Sequence, residues 1–310
     1  MENKKIPLIA VVGPTASGKT TLSIEIAKRI GGEIVSADSM QIYKGISVAS
    51  AAPTEEEMQG IPHYMLEFLN LGDSYSVADY VSKANEIICE INNRGKIPVL
   101  VGGTGLYVDS LTNGITFTEQ KADPELRQSL ENEFDALGGE QMLKRLSEFD
   151  PVSAERLNPT DRRRIIRAFE IYKASGITKT RQDELSRENP SPYKTVFIGI
   201  TYRDREKLYE RINRRVDLML DCGLLKEAQS TLVLPLGTGA AQAIGHKELH
   251  SFLRDEKTFE EAVEDLKRET RRYAKRQLTW FRRNEQINWI YADECESIID
   301  AAMKIIEKEL

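Results

Sequence analysis

No apolar run in this 310-residue chain approaches the ~18 residues needed to cross a bilayer. The opening Met1-Glu2-Asn3-Lys4-Lys5-Ile6-Pro7 leads into a short apolar segment without a small-residue cleavage site, so no secretory leader is expected. Cysteine is scarce: Cys89, Cys222 and Cys295 are odd in number, far apart, and without a C-x-x-C pair or a nearby His. That argues against a disulfide framework and a structural zinc site, and the expected compartment is a reducing cytoplasm. Histidine is equally sparse, with three residues. His246 and His250 lie four apart, but Lys-Glu-Leu between them departs from the H-E-x-x-H order, so no metal role is expected there. Internal repeats and low-complexity segments are also missing.

An excess of positive charge is absent as well. Lys and Arg number 43 against 49 Asp and Glu, a net charge of −6, which as a total argues against a nucleic-acid partner. The distribution reverses that reading. Residues 267–283 carry eight basic side chains against Glu269 alone, and 158–181 carry seven against two. Residues 119–150 are the reverse, with nine acids and four bases. Charge segregated in this way is a footprint to be tested for a nucleic-acid surface.

What is present is a soluble globular composition, 40% hydrophobic and 30% charged, long enough for two domains or for one carrying an insertion. The run Ile6 to Val12 reads as a buried parallel strand, Thr21 to Ile30 as a helix stopped by Gly31-Gly32, and Glu33 to Ser36 as a second strand. Residues 44–75 read as mostly irregular. A capping box at Ser76-Val77-Ala78-Asp79 starts a helix to Arg94, and Ile97 to Val101 is a third buried strand. Strands alternating with helices of this length predict an α/β fold on a parallel sheet. From 112 to 192 the pattern turns helical and charged, ending in Asn189-Pro190-Ser191-Pro192. The strand pattern resumes at Thr195 to Thr201. Helices are predicted over 204–221, 258–283 and 294–309, with a final strand at Ile287 to Tyr291. The expected organisation is a catalytic core of 1–111 and 193–310 interrupted by a helical insertion domain, 112–192.

Gly13-Pro14-Thr15-Ala16-Ser17-Gly18-Lys19-Thr20 satisfies every fixed position of G-x-x-x-x-G-K-[ST], between a strand and a helix. Glycines let backbone N–H groups turn inward on phosphate oxygens, and the helix N-terminus adds positive potential. Lys19 supplies a point charge, and Thr20 can ligate Mg²⁺. The pattern reads a di- or triphosphate, and what is attached to it is read elsewhere, so ATP remains an alternative occupant. In an open parallel sheet the ligand lies beyond the carboxyl ends of the strands. Asp38-Ser39 and Gly102-Gly103-Thr104-Gly105 both fall there. From spacing, Asp38 is a general base, a ligand to a metal-bound water, or an Asx-turn residue; Thr104 offers a hydroxyl to phosphate or serves the turn.

These blocks resemble the tRNA dimethylallyltransferases (isopentenyl-tRNA transferases). The likeness takes in the P-loop, Asp38-Ser39-Met40-Gln41-Ile42-Tyr43 and Val101-Gly102-Gly103-Thr104-Gly105-Leu106-Tyr107. It continues in Asp161-Arg162-Arg163-Arg164-Ile165-Ile166-Arg167-Ala168, Arg211-Ile212-Asn213-Arg214-Arg215-Val216 and Ala243-Ile244-Gly245-His246-Lys247-Glu248. The last block is Tyr273-Ala274-Lys275-Arg276-Gln277-Leu278-Thr279-Trp280-Phe281, so the match is in consistent order over nearly the whole chain. His246 stands where Tyr is common and Phe169 where Leu is common, neither touching the proposed chemistry. No zinc-finger extension of the eukaryotic kind follows, which fits the bacterial type.

The resemblance implies a P-loop NTPase-like core and transfer of a dimethylallyl group from dimethylallyl diphosphate to N6 of adenosine 37 in tRNA. It implies Asp38 as general base and Thr104 beside the reaction centre, with Lys19, Thr20, Mg²⁺, Arg211 and Arg215 on the diphosphate. Arg211 and Arg215 are one helical turn apart, so both can reach one ligand. For the tRNA it implies contacts from Asp38, Ser39, Met40, Gln41 and Thr104, from Arg127, Arg163, Arg164 and Arg167 on the insertion, and from Lys275, Arg276 and Gln277. Tyr273, Trp280 and Phe281 are expected to pack in the core rather than stack on bases. The insertion would clamp the anticodon stem-loop, and the enzyme would act as a monomer. Without the resemblance, a P-loop kinase of a nucleotide or small metabolite would lead. A nucleotide-gated RNA-binding module is the third class.

Overall fold

The computed structural model describes residues 5–117, 123–237 and 239–310, so residues 118–122 of the predicted helical stretch lie outside it. The chain divides into two compact units, Met1–Thr112 with Pro192–Leu310, and Asn113–Ser191.

The first unit is built on a parallel sheet of six strands: β1 (Ile6–Val12), β2 (Glu33–Ser36), β3 (His63–Tyr64), β4 (Pro98–Gly102), β5 (Tyr193–Thr201) and β6 (Asn288–Tyr291), in spatial order β3-β2-β4-β1-β5-β6. From β1 the chain first fills one side of the sheet and later, with β5 and β6, the other. The order therefore reverses at β1, and a crevice is expected at its carboxyl end. Leu8 to Val12 are all solvent-excluded, as befits a strand covered on both faces.

Helices α1 (Lys19–Ile30) and α14 (Ile298–Glu309) cover one face, where Ile24 and Ile26 meet Ile9, Val11, Ile34, Val99 and Ile198. On the other side of β4 run α4 (Val77–Asn93) and α5 (Gly105–Thr112). The capping box forms as expected, with Ser76 accepting from the Asp79 N–H and Asp79 from the Ser76 N–H. Residues 44–75 are less irregular than expected. They hold two four-residue helices, α2 (Ser47–Ser50) and α3 (Glu55–Met58), and the two-residue β3. All are too short to leave a periodic pattern.

The second unit contains α6 (Pro124–Ser147), α7 (Pro151–Arg156), α8 (Arg162–Ser175) and α9 (Lys179–Leu185). Leu130, Met142, Leu146, Ile165, Ile166 and Phe169 form a core of its own. The first unit resumes with α10 (Arg205–Asp221), α11 (Leu224–Thr231), α12 (His246–Leu253) and α13 (Phe259–Phe281), the last opening on the Thr258/Glu261 capping box. Between α11 and α12 lies one turn of 3₁₀ helix, Ala240–Gln242. Val216, Leu224, Leu249, Ala262 and Leu266 knit these helices together. The sequence pattern reveals neither α11 nor α12, each of eight residues. No helix of the described residues is long and apolar enough to cross a membrane.

Candidate functional site

Three loops leave the carboxyl ends of β1, β2 and β4 side by side. The first is the P-loop, where Gly18 sits at φ 99°, a left-handed conformation open to glycine, and its carbonyl accepts from the Leu22 N–H as α1 begins. Lys19 turns back on this loop, its Nζ donating to the Pro14 carbonyl at 2.6 Å. Ser17 Oγ is buried and without a hydrogen-bond partner, an orphaned polar atom in the cradle.

The β2 and β4 ends are pressed together. A Cβ on Gly102 would stand 2.1 Å from the Ala37 carbonyl oxygen, so only glycine fits. Thr104 joins the two turns: its N–H reaches the Ala37 carbonyl, and its hydroxyl oxygen accepts from the Ser39 N–H at 3.0 Å. Asp38 Oδ1 accepts from the Met40 N–H at 2.9 Å, so the Asx turn is real. The carboxylate nonetheless lines a cavity of about 320 Å³ together with Lys19, Thr20 and Arg215. Gln41 receives the Ser36 hydroxyl and donates to the Ala51 carbonyl, so it props the next loop.

Gln277, expected to touch tRNA, is buried, and its amide is engaged at both ends. Oε1 accepts from the Thr15 N–H at 2.8 Å and Nε2 donates to the Gly103 carbonyl at 3.0 Å. Its neighbours divide. Phe281 is buried in the core, and Trp280 lies against Gly105 and donates to Asp109 at 2.7 Å. Tyr273 departs from the expected core role: it lines the cavity with a phenol directed at Thr104 and Gln277, and burial holds its ionisation far above the ordinary range. Lys275 and Arg276 are exposed on α13, and Arg276 also lines the cavity.

A second opening of about 700 Å³ shares Lys19, Thr20, Ala51, Arg215 and Met219 with the first. Arg211, Arg214 and Arg215 all line it, and Arg211 Nε donates to the Ala16 carbonyl at 3.0 Å. The predicted pair of arginines thus reaches the P-loop, with Arg214 as an addition. Crowding of cations has a cost: burial and the nearby Arg215 bring the Lys19 pKa down to about 7, against an opposing pull from Asp38. Arg215 is also lowered, by burial.

Mg²⁺ prefers oxygen ligands and retains waters or substrate phosphates rather than requiring a full protein cage. The Thr20 hydroxyl lines both cavities and the Asp38 carboxylate lines one of them, a donor set that fits such an ion. Among the described residues no group of three His, Cys, Asp or Glu is placed to hold a metal by itself.

In the second unit, Arg163 and Arg164 are exposed on α8. Arg127 and Arg167 both pair with Glu170, at 3.1 and 3.2 Å, and Arg127 also meets Glu131. Glu131 and Glu170 stand one helical turn from Arg127 and Arg167 respectively, in keeping with the acidic neighbourhood of Arg127, while the Arg127–Glu170 pair joins two helices.

The arrangement is that of a P-loop protein whose cavity joins a phosphate cradle to a carboxylate. The family model described as IPP transferase matches residues 41–284, and the chain belongs to that family. A tRNA dimethylallyltransferase of Acetivibrio thermocellus is 48% identical over 292 residues, 94% of this chain and 93% of that one. The Bacillus subtilis protein of the same name is 46% identical over 290 residues, 93% and 92% of the two chains. Among solved structures, the tRNA isopentenylpyrophosphate transferase of Bacillus halodurans is 41% identical with a TM-score of 0.70, covering 98% of both chains. A eukaryotic dimethylallyltransferase captured acting on tRNA is 29% identical with a TM-score of 0.83, over 97% of this chain and 78% of that one.

Proposed function

We propose that the protein is a tRNA dimethylallyltransferase that moves the five-carbon group of dimethylallyl diphosphate to N6 of adenosine 37 and releases diphosphate. The names of its relatives support the reaction class. The observation that carries the chemistry is a single cavity lined by Lys19, Thr20, Arg215 and Asp38. In this reading the adenine leaves its stack and enters the cavity, since N6 cannot be reached while the base is stacked. The P-loop N–H groups, Lys19 and the arginines hold the diphosphate and stabilise the charge that grows on it as the allylic C–O bond breaks. A bound Mg²⁺, held by the Thr20 hydroxyl, would add to that charge stabilisation. As N6 bonds to the allylic carbon, its proton passes to the Asp38 carboxylate, and the C–O electron pair leaves with the diphosphate.

The exposed Arg163, Arg164, Lys275 and Arg276 are suited to tRNA phosphates. The residues lining the two cavities belong to the first unit. The kinase alternative is not favoured, because relatives nearly half identical over almost the full length carry the transferase name.

Mass spectrometry of an unmodified anticodon stem-loop, incubated with the protein, Mg²⁺ and either dimethylallyl diphosphate or ATP, tests the proposal. A gain of one C5H8 with the allyl donor is expected. No gain, with ATP consumed on a panel of small metabolites, would transfer the case to the kinase.

A further inference from the structure

The wall of the cavity formed by Ala49, Ser50 and Ala51 is a single turn, closed by its own backbone bonds and by the Gln41 amide on the Ala51 carbonyl but without a local side chain on its first N–H groups. Its helix α2 is one turn long and begins after Ile46, which offers no capping oxygen. It ends at Ala51, whose φ of 45° lies in the left-handed region that a Cβ disfavours. Such a turn persists only when its surroundings over-determine it.

The missing cap comes from far along the chain. Glu227 on α11 accepts from the Val48 N–H at 2.8 Å through Oε2 and from the Ala49 N–H at 2.9 Å through Oε1. These are the second and third residues of α2, the donors a capping side chain would serve. The carboxylate is fixed in turn by His246, whose Nε2 lies 2.8 Å from Oε1. A carboxylate only accepts, so the proton of that bond sits on Nε2. His246 is buried and is separated by one residue from Gln242 to Ile244, which line the same cavity. One carboxylate therefore ties together two walls of the cavity that are distant in sequence.

We infer that Glu227, oriented by His246, is a positioning residue for the transfer reaction: it holds the 47–51 turn against the space where the allyl group and the adenine must meet. The inference rests on the transferase reading for the word reaction and on geometry alone for the holding of the wall. Nothing in it requires Glu227 to touch substrate. Without the cap, the turn relaxes from its strained end and the cavity that Asp38 also lines loses a defined side, so reacting groups are misplaced although the diphosphate cradle stays intact.

The test compares Glu227→Ala, His246→Leu and His246→Gln with the unaltered chain. Gln keeps an N–H donor near the Nε2 position and Leu removes it. Hydrogen exchange of the 47–51 amides, the Kd of inorganic pyrophosphate, and the kcat of prenyl transfer are measured together. Glu227→Ala and His246→Leu are expected to speed exchange at 47–51 by about tenfold or more and to lower kcat by about tenfold. Protection in β1 and β4 should stay unchanged, and pyrophosphate affinity should hold within about twofold, while His246→Gln restores both exchange and kcat. A merely structural role would lower protection throughout the sheet. Unchanged exchange at 47–51, or faster exchange with unaltered kcat, would overturn the inference. Should Glu227→Ala fail to fold, the Leu and Gln variants of His246 decide it by the same two readouts. If the unaltered chain transfers no prenyl group, the functional reading falls, and exchange still reports whether Glu227 holds the wall.

Discussion

The ammonium of Lys19 donates to the carbonyl of Pro14, five residues earlier in its own loop, at 2.6 Å. Its pKa is brought to about 7, first by burial and then by Arg215, with Asp38 opposing. A bound diphosphate adds negative charge beside it and favours the charged form. Below about pH 7 the free protein already carries the proton. Above that, binding must take a proton up, so affinity is expected to fall as pH rises, by up to about tenfold per unit. Calorimetry of pyrophosphate binding between about pH 7.5 and 9, in buffers of different ionisation enthalpy, measures both effects. Lys19→Arg, charged throughout, should flatten the pH dependence, and Lys19→Ala should lose turnover at low substrate concentration. Binding without proton uptake, at a constant Kd, would refute the assignment.

Asp38 can be tested without disturbing its turn. In Asp38→Asn the amide oxygen still accepts the Met40 N–H now received by Oδ1, so the loop is retained and the base is lost. The kcat of transfer should fall by about 10²–10⁴ while stem-loop affinity changes little. Full activity in this variant would move the proton acceptor elsewhere. Full biological function in Asp38→Ala would instead point to a binding module without chemistry.

Gln277 closes the cradle from the other end of the chain, linking Thr15 to Gly103. Gln277→Leu leaves the buried Gly103 carbonyl unpaired, which costs about 1–3 kcal/mol before relaxation, and the part-buried Thr15 N–H without its acceptor, which costs less. Gln277→Glu sets an oxygen against the Gly103 carbonyl and should be worse. A denaturant midpoint lowered in that order, with kcat/KM down by about tenfold, is the expected result. A midpoint unmoved by Gln277→Leu would show that the two bonds add no stability.

Locality explains what could be read in advance. The β1–P-loop–α1 unit and the ends of β2 and β4 declare themselves through contiguous apolar runs and glycine turns, which is why Asp38 is legible as a residue of the cavity. Thr104 lies at the end of β4 as expected but lines neither cavity. The likeness to a known family added the arginines, and the structure brings Arg211 and Arg215 to the P-loop. What stayed hidden depends on distant partners. Thr15 and Gln277 are 262 residues apart, and the Glu227 bond to Val48 spans 179. No periodicity encodes such pairs. The helix at Gly105 was hidden for another reason: four loop-forming residues in a row signal a turn, while the absent side chain of Gly105 makes room for Trp280.

The basic surface divides into two kinds of arginine. Arg163 and Arg164 are exposed, and among the described residues the one carboxylate within ion-pair distance of Arg164 is Asp161, at 3.9 Å, whereas Arg127 and Arg167 share Glu170. A phosphate contact releases counterions, so each one removed lowers the salt slope of binding by about 0.7–0.9. Reversing Arg163 and Arg164 together, or Lys275 and Arg276 together, should weaken stem-loop binding and reduce that slope by up to about two. Arg127→Ala should change it less, because its guanidinium is already matched by two carboxylates. Filter binding or fluorescence titration across a range of salt concentrations gives the slopes. Equal slopes for all variants would place the tRNA surface elsewhere on the protein. A larger effect from Arg127 than from Arg163 would mean that the Glu170 pairs open when tRNA binds.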